Sequence, residues 1–220
     1  MAIGSLSMPV QMYLLAYDTV KPRLTARLQL PYVVRAAALT ELVQRGLLSE
    51  RDAAVLPVLD ARTGDAVLDG LLDLIQESRP RGWRDWAAAR AGVTLDAVRR
   101  ELTASGYLHG VRQRALWVFP YTDYVLDRPD FVDSLRTELL PALHGNGPLD
   151  EVSVRDAALI ALAGEGGLHT LVSAGERRTY RRRIEQLAER SGDAEPAAPH
   201  LVHEVRRSMV QAIASVSAAM

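Results

Sequence analysis

The sequence predicts a mainly α fold, a single compact helical domain. Apolar residues recur at three- and four-residue spacing through most of its 220 residues, glycine and proline punctuate those stretches, and only one segment alternates as a strand would. With 48% hydrophobic residues the chain can bury one sizeable core, and its length does not require two domains.

Pro9 to Tyr17 reads as a short helix with a strongly apolar face, ended by the Lys21-Pro22 step. From Leu28 to Arg45, Leu28, Tyr32, Ala36, Leu39 and Val43 make one helical face, and Gly46 supplies a left-handed cap. Ala53 to Leu59, with two valines and Pro57, predicts an edge strand or extended crossing. Thr63-Gly64-Asp65 turns the chain into a helix from Ala66 to Ser78, closed by Pro80. A helix holding Trp83 and Trp86 follows, and another starts with Thr94 as N-cap and ends at Gly106.

Tyr107 to Val125 alternates and is rich in aromatics, which predicts a β-hairpin with its tip at or near Arg112-Gln113. Pro129 opens a helix through Leu143, and Ser153 with Asp156 caps another over Val154 to Ala163. Gly164-Glu165-Gly166-Gly167 reads as a break before a helical stretch Leu168 to Ser173, and Glu176 to Arg190 and Leu201 to about Ala214 complete the chain. The expected domain spans 8–220, with 1–7 a flexible N-terminus.

A net charge of -1 gives no whole-molecule field toward nucleic acid or membrane, so any anion binding must come from a local patch. The absence of cysteine excludes disulfides and thiolate chemistry and fits a reducing compartment. About 18 uninterrupted apolar residues occur nowhere, so the expectation is a cytoplasmic protein that touches a membrane without spanning it. There is no G-x-S-x-G, H-E-x-x-H or P-loop, and the five histidines lack ligand spacing. No catalytic residue, cofactor or metal site is expected. Asp65 and Asp69, one turn apart, are explained by a helix N-terminus.

Several blocks resemble the Golgi phosphoprotein 3 family, in the manner of a bacterial homologue. They are Tyr13-Leu14-Leu15-Ala16-Tyr17-Asp18, Val34-Arg35 through Glu41-Leu42 to Arg45-Gly46, Thr63-Gly64-Asp65-Ala66-Val67-Leu68-Asp69, Ala157 to Ala163 and the arginine helix Tyr180 to Leu187. Their collinear order covers almost the whole chain. The resemblance implies a four-helix core ringed by amphipathic helices with one projecting hairpin. It further implies a non-enzymatic peripheral membrane adaptor that binds phosphatidylinositol 4-phosphate, and in some members association through the hairpin.

Carried over residue by residue, Arg35 falls on the first lipid-phosphate arginine. The family's pocket tryptophan aligns with Ala26, and its paired arginines with Gly92 and Leu95. Arg90, Arg99 and Arg100 are the candidates to stand in for that pair. In the hairpin, Leu116, Trp117, Val118 and Phe119 form an apolar wedge flanked by Arg112 and Arg114, against which stands simple packing of the aromatics on the core. Anionic phospholipid, a membrane surface and an unknown client protein are the expected partners, and a homo-oligomer through hairpin 107–121 is compatible with them.

Arg177, Arg178, Arg181, Arg182 and Arg183 form a dense basic run whose plainest reading is a solvated helix face paired with glutamates. The competing functional reading is a winged-helix-like DNA-binding protein, using helix 94–106 with Arg99 and Arg100 and hairpin 107–121 as the wing. The net charge and the apolar hairpin weigh against it, and no nucleic-acid partner is expected.

Overall fold

The computed structural model describes residues 6–115, 119–145, 147–193 and 198–218. Among them the chain forms ten α-helices and three two-stranded antiparallel ribbons, a mainly helical single domain.

Helix α1 (Met8–Leu15) is buried on every side, so the apolar run that predicted an amphipathic helix instead makes an interior one. It ends at Leu15, earlier than the Lys21-Pro22 step; the chain then forms a two-residue ribbon, β1 (Tyr17–Asp18) with β2 (Arg23–Leu24), and Lys21-Pro22 lies in the turn between them. Of the terminus expected to be flexible, Leu6 and Ser7 are buried and Arg155 donates to the Leu6 carbonyl. Residues 1–5 lie outside the described residues.

Helix α2 (Leu30–Gln44) is the centre of the molecule, packed against α1, α5, α7 and α10. Leu28, expected to begin its apolar face, precedes the helix and is 49% exposed. Gly46, at φ +67°, supplies the left-handed step that ends α2. The ribbon β3 (Leu48–Arg51) with β4 (Ala54–Pro57) follows, closed by Asp52 and Ala53, both at positive φ as a two-residue hairpin turn requires. Only β4 was legible in the sequence, because Leu48-Ser49-Glu50-Arg51 carries almost no apolar pattern.

Helix α3 (Ala66–Gln76) starts as expected: the Asp65 carboxylate accepts from the Val67 and Leu68 amides at 2.9 Å, and Asp69 accepts from Thr63 and Gly64. Helix α4 (Trp83–Ala88) is short. Helix α5 (Ala91–Ala104) begins three residues before Thr94, so Thr94 is a buried residue inside the helix and not its N-cap.

The hairpin pairs β5 (Leu108–Ala115) with β6 (Phe119–Leu126). Arg112 faces Thr122 and Gln113 faces Tyr121 within the ladder, which moves the turn from Arg112-Gln113 to beyond Ala115. Helix α6 (Pro129–His144) follows.

Helix α7 (Val154–Gly166) is capped by Ser153, whose hydroxyl accepts from the Asp156 amide at 3.0 Å. The glycine run does not break it at Gly164; only Gly167, at φ +73°, ends it, and Leu168 to Ser173 is turns instead of helix. The arginine helix is two helices, α8 (Ala174–Thr179) and α9 (Arg181–Arg190), jointed at Tyr180, and α10 (Ala198–Ala218) packs across α2 and α4.

Candidate functional site

The arginine expected to lead a phosphate site is Arg35, and the structure puts it in the core with 0% exposure. Its Nε donates to Thr94 Oγ1 at 2.7 Å, while Nη1 and Nη2 donate to the carbonyls of Trp86 at 3.3 Å and Arg90 at 2.9 Å. Trp86 lies in the last turn of α4 and Arg90 just beyond its end, so the guanidinium caps the electronegative end of one helix from the middle of another. Among the described residues no carboxylate touches it; carbonyl dipoles and a hydroxyl take that role. Burial, with the nearby Arg90 charge, pushes the Arg35 pKa down to about 10. It therefore remains a cation at neutral pH, with its fork used on the protein itself.

The same block owes its glutamate to structure too. Glu41, 2% exposed, accepts from the Met8 amide at 2.6 Å, from Arg45 at 2.5 Å and from Arg155 at 3.0 Å. A buried carboxylate so surrounded ties α1, α2 and α7 together.

The other three candidate arginines do not converge on Arg35 as a group. Arg90 does come beside it, an exposed residue at φ +54° that precedes α5 and contributes its carbonyl. Arg99 lies further along α5, its guanidinium 4.9 Å from the Tyr124 ring centre and 5.9 Å from that of Tyr13, paired with Asp96 at 3.2 Å. Arg100 is exposed on another side of α5, lining a shallow cavity of about 220 Å³ with Ala66, Val67 and Glu101.

Of the hairpin residues, Leu116, Trp117 and Val118 lie outside the described residues, as do the side chains of Arg114 and Phe119. Arg112 is exposed on β5. Sequence reasoning missed what stands beside the hairpin: the β1–β2 ribbon and the loop after it. Arg27 in that loop pairs with Asp123 of β6 at 3.4 Å, the Leu126 amide donates to the Tyr17 hydroxyl at 3.4 Å, and Thr19 donates to Asp133 of α6 at 2.8 Å. This segment exposes Val20, at 88%, and Leu28 among Lys21, Arg23 and Arg27. The only sequence signal for it was the clustering of those cations around Val20 and Leu28 in a Pro-containing connection.

Among the described residues no group of three His, Asp or Glu is placed to hold a metal ion, and no helix is long and apolar enough to cross a membrane. The family model described as Golgi phosphoprotein 3 (GPP34) matches residues 8–210. No curated protein matches the chain.

Proposed function

The chain belongs to the Golgi phosphoprotein 3 family, and on that footing we propose that it is a peripheral adaptor docking reversibly on anionic lipid through the hairpin and the β1–β2 segment beside it. The observation that carries this reading is the Arg27–Asp123 ion pair, which ties the segment exposing Val20, Leu28, Lys21 and Arg23 to β6 of the hairpin, whose partner strand β5 exposes Arg112. Exposed apolar groups interleaved with cations suit the boundary between head groups and acyl chains. Each cation held near an anionic surface is worth about 1 kcal/mol, and burying a valine or leucine side chain about 1.5–3 kcal/mol. A few of each suffice for reversible docking without a spanning helix.

Because Arg35 is enclosed, the attraction in this reading is to negative charge and not to one head group. The decisive measurement is co-sedimentation with vesicles of neutral phosphatidylcholine, or of that lipid with phosphatidylserine, phosphatidylinositol or phosphatidylinositol 4-phosphate at matched charge. Binding should follow surface charge, weaken with salt, fall at least tenfold in Lys21→Glu/Arg23→Glu/Arg112→Glu and fall in Trp117→Ala. Failure to sediment with any anionic vesicle would overturn the lipid reading. Selective binding to the 4-phosphate that survives the charge reversals would overturn this docking face and return the site to the neighbourhood of Arg35 and Arg90.

A further inference from the structure

The basic run on α8 and α9 divides into two chemically different halves. Arg183 donates to the carbonyls of Ala142 at 2.9 Å and Gly147 at 3.1 Å, and Arg190 donates to that of Val152 at 3.1 Å, so these two fasten α9 to the last turn of α6 and the connection that follows it. Arg177 and Arg178 are exposed, and their side chains have no hydrogen-bond or ion-pair partner among the described residues. They stand at the rim of a groove of about 520 Å³ formed by α7, α8, α9 and α10.

The floor of that groove is apolar. Ile184 of α9 and Val210 of α10 line it, and Val210 is 43% exposed. Gly164 of α7 adds backbone without a side chain. Two glutamates also border the groove, but both are already neutralised: Glu185 accepts from Arg181 at 2.9 Å, and Glu165 accepts from Arg206 at 3.1 and 3.2 Å. Two guanidiniums are thus left uncompensated above an apolar trough whose volume lies in the small-molecule range. Planar guanidiniums match the oxygens of phosphate and carboxylate.

We propose that this groove binds a single-chain anionic amphiphile, its acyl chain over Ile184, Val210 and Gly164 and its phosphate or carboxylate on Arg177 and Arg178. The groove shares no residue with the hairpin face, so the two readings stand or fall separately.

The test is isothermal titration of the whole chain with dodecyl phosphate below its micelle concentration. Dodecyl maltoside serves as chain without charge, and inorganic phosphate as head without chain. Saturable one-site binding is expected, at least tenfold weaker in Arg177→Ala/Arg178→Ala, clearly weaker in Val210→Asp and unchanged in Lys21→Glu/Arg23→Glu/Arg112→Glu. All the altered groups are exposed, so circular dichroism should report intact folding. Parallel titrations with dodecanoate and lysophosphatidic acid separate a free acyl chain from a lipid head group as the natural source; saturable binding of either supports the groove. Absence of saturable binding, equal affinity for dodecyl maltoside or inorganic phosphate, or wild-type affinity in both groove variants would overturn the proposal.

Discussion

Arg35 and the pair Arg177 and Arg178 are the same side chain in opposite circumstances. The first sits in the middle of the central helix, and each of its three guanidinium nitrogens donates to a protein acceptor. The other two stand on a six-residue outer helix with no acceptor among the described residues. An arginine with its fork filled by main-chain carbonyls is a structural strut, and one left unfilled at the rim of a groove is available to a ligand. Position in the family-like block therefore does not decide which arginine recognises an anion; the state of its donors does.

The largest effect should come from truncating the strut. Arg35→Ala removes a large buried side chain and leaves Thr94 and the Trp86 and Arg90 carbonyls without their donor, which should cost about 2–5 kcal/mol in chemical denaturation. Arg177→Ala/Arg178→Ala should stay within about 0.5 kcal/mol of wild type. Equal losses in the two variants would erase the contrast.

Next is a contrast within one helix. A Cβ on Gly166 of α7 would meet Val33 of α2 at 2.5 Å, whereas one on Gly164 would meet Ile184 of α9 at 3.5 Å. Gly166→Ala must displace the Val33 side chain or the helix that carries it and should cost about 1–3 kcal/mol. Gly164→Ala gains helix propensity in ordinary contact and should be neutral or stabilising by up to about 1 kcal/mol. Thermal melts of the two variants report directly on how tightly the inner and outer walls of α7 are packed.

This division also explains what the sequence could show. Caps were legible because their chemistry is local: Asp65, Ser153, Gly46 and Gly106 act within a few residues of themselves. The extent of α7 was not, because Gly164 and Gly166 read as breakers until Val33 and Ile184 are seen to need the space. Thr94 looked like a cap because hydroxyls cap helices, and its partner, Arg35, lies 59 residues away. The same non-local bonding hid the site. Nothing near Arg35 in the chain announces three acceptors on α4, α5 and the link between them, and nothing near Arg177 announces that Glu165 and Glu185 are already taken.

A smaller effect is expected from acid. The Ser173 side chain, outweighing partial burial, together with the Ser173 amide and His144, holds the Glu176 carboxyl below its ordinary range. A carboxylate depressed in the folded state stabilises fully above its unfolded pKa of about 4.3 and loses that contribution as pH falls through the lower folded value. Glu176→Gln should therefore be less stable than wild type at pH 7 by about 0.3–1 kcal/mol. The gap should close toward pH 3 in urea titrations, and a constant gap would show that the charge of Glu176 contributes nothing to the capping box on α8.

The smallest expected effect concerns the face proposed to meet lipid. Arg27 and Asp123 are both substantially exposed, so their 3.4 Å pair should couple by only about 0.2–1 kcal/mol in a double-mutant cycle and fade with salt. Its value to docking is geometric, since it ties Leu28 and the cations of the β1–β2 segment to the hairpin. Asp123→Asn removes one negative charge from that face while loosening the tether. If charge alone governs docking, vesicle binding should strengthen; if the arrangement of cations and apolar groups matters as well, it should weaken despite the gain in net positive charge. Weakening is the outcome expected here, and its absence would reduce the face to a diffuse basic patch.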